Sequence, residues 1–241
     1  GRHAAAAAAL CALAVGAGFL TIAIQPEDSD AAPAAELGDT VVEPALVAPA
    51  GFSLTDDFSD PDSGWSEQED PGASFSYGAG EWVMTVKRPQ ESWFSFLDLG
   101  VSVAHVAVEA DARLRAPASD DDAVGIGCFA SELAGYLINV WPDGYYAIGI
   151  DPADSEQIAL LADGSAPEAA ARPVHWSRIG IACESGPPAI LTLTVDGRRI
   201  AETRHGEGLG SFQVAALIVS SGPGRATGRF DNLEIRRVDG D

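Results

Sequence analysis

Glu109-Ala110-Asp111-Ala112-Arg113 is the stretch of this chain closest to catalytic chemistry. Alternate residues of a strand share one face, so Glu109 and Asp111 would stand side by side. Paired carboxylates of that kind cleave glycosidic bonds as acid with base or nucleophile. The next residue on the face is Arg113 and not a further carboxylate. The stretch therefore reads as a wet strand face of mixed charge, and no catalytic residue is assigned. Asp120, Asp121 and Asp122 follow one another and read as a solvated loop. His3, His105, His175 and His205 are scattered, none at metal-ligand spacing from another or from a cysteine. No G-x-S-x-G elbow marks a nucleophile.

Binding has better candidates. Small-molecule sites combine aromatic faces with a few converging polar groups, and the aromatics in question are Trp93, Phe94, Phe96, Tyr136, Trp141, Tyr145 and Tyr146. Of these, Trp93, Trp141, Tyr145 and Tyr146 are taken as ligand-binding candidates, with core packing as the competing reading. Within Trp93-Phe94-Ser95-Phe96, alternation puts apolar residues on both faces, which requires cover on both sides. Tyr145 and Tyr146 point oppositely, so one of them is expected to be exposed.

The elements that must position these residues are short and alternating. Residues 106–115 place Val106, Val108, Ala110, Ala112 and Leu114 on one face and charged residues on the other, the signature of a strand with one packed and one wet side. Residues 81–87 and 189–195 repeat it. Pro142-Asp143-Gly144 joins residues 136–141 to 145–150, and Asp196-Gly197 joins 190–195 to 198–203, both as hairpins. Further strands are expected at 93–99, 157–161, 176–183, 212–220 and 229–236. About a dozen strands without a soluble amphipathic helix indicate an all-β fold, a two-sheet antiparallel jelly-roll sandwich over residues 55–238. Trp65 is expected to plug its end.

Before this body, residues 4–24 form an unbroken uncharged run, as long as the ~20 residues a membrane-spanning helix needs. Arg2 and His3 precede it, and Glu27, Asp28 and Asp30 follow it, which favours an N-inside, C-outside orientation. Residues 1–25 thus read as a transmembrane anchor, 26–54 as a flexible stalk rich in Ala, Pro and acidic residues, and the remainder as extracytoplasmic. The competing reading is a cleaved signal, with an A-x-A-like site at Ala32-Pro33-Ala34 and secretion of the rest. Cys11 reads as a small apolar residue. The chain begins at Gly1, so a cytoplasmic domain ahead of it stays open.

The formal net charge is −22, from 36 acidic and 14 basic residues. Such a surface repels nucleic-acid phosphate and anionic lipid headgroups. Lys87 is the only lysine, a matter of codon usage. Cys128 and Cys183 are an even pair outside the anchor; in an oxidising compartment they are expected to form a disulfide, with two buried thiols as the alternative.

Several phrases carry a likeness: Asp56-Asp57-Phe58-Ser59-Asp60-Pro61 with Ser63-Gly64-Trp65; Gly127-Cys128-Phe129, Gly135-Tyr136-Leu137 and Trp141-Pro142-Asp143-Gly144-Tyr145-Tyr146-Ala147-Ile148; and Val195-Asp196-Gly197 with Gly228-Arg229-Phe230-Asp231-Asn232-Leu233-Glu234-Ile235. From about residue 56 to 238 the chain resembles the concanavalin A-like lectin/glucanase superfamily, in particular bacterial extracytoplasmic domains of laminin G-like and keto-disaccharide-hydrolase-like type. The resemblance implies a jelly roll and a glycan or other cell-surface ligand. It also implies a structural calcium ion near the joined terminal strands, where Asp231 and Asp57 would be its ligands; otherwise Asp231 and Asn232 serve backbone donors at a bulge. No other cofactor is expected. The function so implied is a membrane-anchored, extracytoplasmic, non-catalytic binding or sensing module. A diverged glycoside hydrolase-like enzyme and the structural ectodomain of a longer receptor, such as a kinase, are the alternatives.

Overall fold

The computed structural model describes residues 46–115, 118–152, 157–171 and 174–238. The expected anchor and most of the expected stalk lie outside these. In chain order the described strands are β1 (Ser53–Asp56), β2 (Gln68–Glu69), β3 (Ala73–Tyr77), β4 (Trp82–Val86), β5 (Ser92–Val103), β6 (His105–Leu114), β7 (Ala123–Ser131), β8 (Ala134–Val140), β9 (Tyr145–Asp151), β10 (Ala159–Ser165), β11 (Ser177–Glu184), β12 (Ala189–Val195), β13 (Arg198–His205), β14 (Phe212–Ser220) and β15 (Ala226–Arg237). One 3-10 turn, Pro167–Ala169, interrupts them.

The strands form two antiparallel sheets. The larger has nine strands in the order β13-β12-β11-β6-β15-β4-β3-β2, with β1 beside β15; the smaller has six in the order β10-β9-β8-β7-β14-β5. Both expected hairpins form: β8 pairs with β9, and β12 with β13. Asp196 and Gly197 both take positive φ, at 50° and 73°, the conformation a tight two-residue hairpin requires. Other strands depart from expectation. β10 starts at Ala159 and runs to Ser165, later than the expected 157–161. β2 and β3 were not expected; Gln68 and Glu69 of β2 carry little strand signal, whereas Phe75 and Tyr77 of β3 alternate with serines and were overlooked. The strand framework also reaches back before residue 55: β1 begins at Ser53, and Val47 bridges Ser102 in parallel.

Period-2 alternation builds the core. Val106, Val108, Ala110, Ala112 and Leu114 of β6 face Val124, Ile126 and Cys128 of β7 and Leu217 and Val219 of β14 across one apolar seam. At about 25 cal/mol per Å² of apolar surface removed from water, this seam is the main source of stability. The Cys128–Cys183 disulfide joins β7 to β11, hence one sheet to the other, with Cα atoms 6.7 Å apart. Trp65 is buried against Phe58 and Trp82, with ring centroids 5.9 and 5.8 Å away. The carboxylate of Asp56 ties this corner down. It accepts hydrogen bonds from Phe58 N (2.7 Å), Ser63 Oγ (2.7 Å) and Trp65 Nε1 (3.0 Å).

Two stability outcomes follow from these contacts. The disulfide closes a separation of 55 residues, so replacing both cysteines by alanine should cost about 4 kcal/mol in urea unfolding by the chain-entropy relation; an unchanged midpoint would contradict a formed bond. Asp56→Ala orphans three donors and should cost about 3 kcal/mol, whereas Ser59→Ala, at an exposed turn, should cost under about 0.5 kcal/mol; equal losses would refute the corner's role.

Candidate functional site

The carboxylates nearest to a catalytic pattern lie on the outer face of the larger sheet, and their oxygens are occupied. Arg178 on β11 contacts Glu109 Oε2 at 3.4 Å, Asp111 Oδ1 at 3.5 Å and Glu234 Oε2 at 3.3 Å. It also donates to the backbone oxygen of Asn232 at 2.6 Å. Arg236 takes the other Glu109 oxygen at 3.2 Å, and Glu81 is shared by Arg113 and Arg229. This is a lattice of ion pairs over a strand face, as the residue types implied.

Beside it, β1 meets β15, and Asp57 and Asp231 come into electrostatic reach of each other. Burial raises the Asp231 carboxyl, the Asn232 N–H opposes this, and the charges of Asp111, Glu81 and Asp57 add to the rise. Hydrogen bonds from the Ser59 side chain and backbone hold Asp57 low. A cleft of about 610 Å³ opens here, lined by Asp56, Asp57, Asp60, Ser63, Arg178 and Glu234 among others. Calcium takes six to eight oxygens. Among the described residues, no group of three or more His, Cys, Asp or Glu side chains is arranged to hold a metal ion. The fit to calcium is therefore poor: Arg178 already supplies the positive charge. Asn232 sits instead at a β-bulge with φ of 48°, and its N–H donates to Asp231 Oδ1 at 2.7 Å. Asp122, expected in a solvated loop, is buried; Oδ1 accepts from Gly222 N and Oδ2 from Ser119 N, each at 2.8 Å.

The four aromatic candidates separate. Trp141 and Tyr145 meet on the outer face of the smaller sheet with ring centroids 5.1 Å apart. The Tyr145 hydroxyl donates to Asp163 Oδ2 at 2.8 Å, and burial with this carboxylate pushes its pKa up to about 12. Trp93 packs edge-on against Phe75 at 6.2 Å and donates its indole N–H to Glu91. Tyr146 turns inward against the main core. Neither tyrosine of the pair is exposed: Tyr145 is 7% accessible and Tyr146 half-buried, because both sheet faces are packed at this point.

The outer face of the smaller sheet carries its own apolar cluster, in which Phe129, Leu137, Val214, Ala216 and Ile218 pack with Phe94, Phe96 and Ile158. Phe94 and Phe96 stand edge-on over Phe129 at 6.0 and 5.3 Å. Both faces of residues 93–96 are thus used. Glycines make the layer possible. A Cβ at Gly127 or Gly135 would strike the Phe129 ring at 2.5 or 2.2 Å, and one at Gly125 would strike Asn139 Oδ1 at 2.2 Å.

Asn139 and Asp151 are the polar residues in this layer that sequence reading missed. Asn139 is 1% exposed, and its Oδ1 accepts no hydrogen bond. Asp151 is 4% exposed, and burial raises its carboxyl pKa to about 6. A buried acceptor left unmade costs about 1–3 kcal/mol, so such groups call for an explanation. The alternate glycines of Val124-Gly125-Ile126-Gly127 were the available signal, since glycine inside a strand marks close approach of another group.

No known protein family and no curated protein matches this chain by sequence. Solved structures do match in shape. The Emp47p carbohydrate recognition domain superposes with a TM-score of 0.56 at 13% identity, over 78% of this chain and 96% of its own. Alginate lyase Aly36B gives 0.54 at 9% identity, over 78% and 98%. The endo-β-1,4-glucuronan lyase of Trichoderma reesei gives 0.54 at 10% identity, over 77% and 95%. At such identities the likeness concerns architecture alone. The shared architecture is a two-sheet jelly-roll sandwich.

Proposed function

We propose that this domain is a non-catalytic glycan-binding module whose ligand lies on the outer face of the six-stranded sheet. The observation that carries this reading is the buried, unpartnered Oδ1 of Asn139. It is supported by the buried Asp151 carboxylate, four residues along β9 from Ala147, the residue opposite Asn139. At about 3.3 Å per residue the two acceptors are roughly 13 Å apart along the strand. Acceptors want donors, and hydroxyl groups supply them. The Trp141–Tyr145 pair and the Tyr145–Asp163 hydrogen bond border the same face. Strand alternation brings no Lys, Arg or His among the described residues onto this face, so a polyuronate finds no counter-charge and a neutral glycan is favoured. Both acceptors lie beneath the surface, so entry requires the side chains above them to move aside. The hydrolase alternative gains nothing from Glu109 and Asp111, whose oxygens are held by Arg178 and Arg236.

In the same reading the domain stands outside the cytoplasm, tethered by the uncharged run at residues 4–24. A disulfide between Cys128 and Cys183 suits that compartment.

On a glycan array the protein should bind neutral polymers, and Asn139→Ala should lose about tenfold in affinity; full affinity in that variant would refute the site. The pH dependence has a definite sign. The folded pKa of Asp151, about 6, lies above that of an ordinary aspartate, 3.8. Its contribution to stability is thus present below about pH 4 and lost as pH rises through about 6. Its value as an acceptor runs the other way, so affinity should rise between pH 5 and 7. Asp151→Asn should flatten both trends; unchanged slopes would show that another group titrates. For the tether, protease treatment of intact cells should remove the body, and complete protection would place it inside.

A further inference from the structure

Trp176 behaves unlike the other tryptophans. Trp65, Trp82, Trp93 and Trp141 are buried or half-buried, whereas Trp176 is 39% exposed. It is nevertheless held in place. The Arg113 guanidinium lies 4.3 Å from its ring centroid, and Arg113 is itself fixed by an ion pair to Glu81 at 2.7 Å. A cation over an indole face is an attractive, orienting contact. The indole borders a cleft of about 300 Å³ lined also by Pro167, Glu168, His175, Ser177 and Asp196. Arg113 is not among the residues that line this cleft.

We infer that this cleft is a second sugar subsite, in which a neutral pyranose lies against Trp176 and turns its hydroxyls to Glu168, His175 and Asp196. The inference rests on the glycan-binding reading above and extends it. A rigid indole offers a flat apolar face to the C–H side of a sugar ring at low entropic cost, and the polar rim offers hydrogen bonds. Asp196 Oδ1 already accepts from Arg178 N at 2.9 Å, which fixes the carboxylate at the cleft edge. The two carboxylates of the rim disfavour uronates. The cleft is also connected to the first site through the backbone. Residues 166–171 form a strap whose ends are fastened to the β8–β9 turn, Ala166 N to Gly144 O at 2.9 Å and Ala171 N to Trp141 O at 3.0 Å. Trp141 belongs to one site, and Pro167, Glu168 and Ala170 of the strap line the other.

The test is affinity electrophoresis of the whole protein in gels containing laminarin, hydroxyethylcellulose, xyloglucan or galactomannan, with polygalacturonate as the charged comparator. Trp176→Ala should weaken binding to the retained neutral polymer about tenfold, and Trp176→Phe should recover most of it with an unchanged melting temperature. Retention of Trp176→Ala equal to the parent, while Asn139→Ala is weakened, overturns the cleft alone. Loss in Trp176→Ala with none in Asn139→Ala or Asp151→Asn supports the cleft and overturns the outer-face site. A parent protein retained by none of the neutral polymers, or only by polygalacturonate, overturns both.

Discussion

Strand alternation under a demand for one apolar seam governs the rest of this molecule. Ile126, Ile138 and Ile148 must face the larger sheet to fill the core. Their neighbours Gly125, Asn139 and Ala147 are then forced onto the opposite face, where they align across β7, β8 and β9. No separate device places Asn139. Its position follows from the register of the strands that fill the interior, and a one-residue slip would exchange the two faces.

The two sheets solve the problem of their outer faces differently. The larger sheet is covered by ion pairs centred on Arg178, Glu109 and Glu81, each partly accessible to water. Such pairs contribute little individually, and their main effect is to keep a charged surface in order. The smaller sheet is covered by aromatic and aliphatic side chains lying on glycine. A polar group within that layer is desolvated, which is why the Asp151 carboxyl is raised to about 6 while the carboxylates around Arg178 remain in a wet network.

Much of the architecture was legible in the sequence because it depends on local pattern. Residues 106–115 announce β6 by unbroken alternation, and Asp143-Gly144 and Asp196-Gly197 announce their turns by residue type. The cysteine pair announced itself by number. β2 was not legible, since Gln68 and Glu69 acquire strand geometry only by pairing with β3, which itself lies against β4. Among the site residues, Trp141 and Tyr145 were visible as aromatics beside a turn. Asn139 was hidden because its meaning lies in facing Gly125, a contact between strands. Trp176 looked like the first residue of a strand, and its contact with Arg113, from a distant part of the chain, is visible only in the fold. Conversely, the calcium expected from resemblance at Asp57 and Asp231 does not suit the residues present, because an arginine stands among the acids.

The pairing of β1 with β15 sets Ser53 opposite Arg236, and the N–H of Arg237 donates to the oxygen of Phe52. The first and last strands of the sandwich therefore leave it side by side. A body whose entry and exit coincide hangs like a pendant. It can be grafted into a loop of a larger chain, or carried at its end, without separating the flanking segments or straining the sheets.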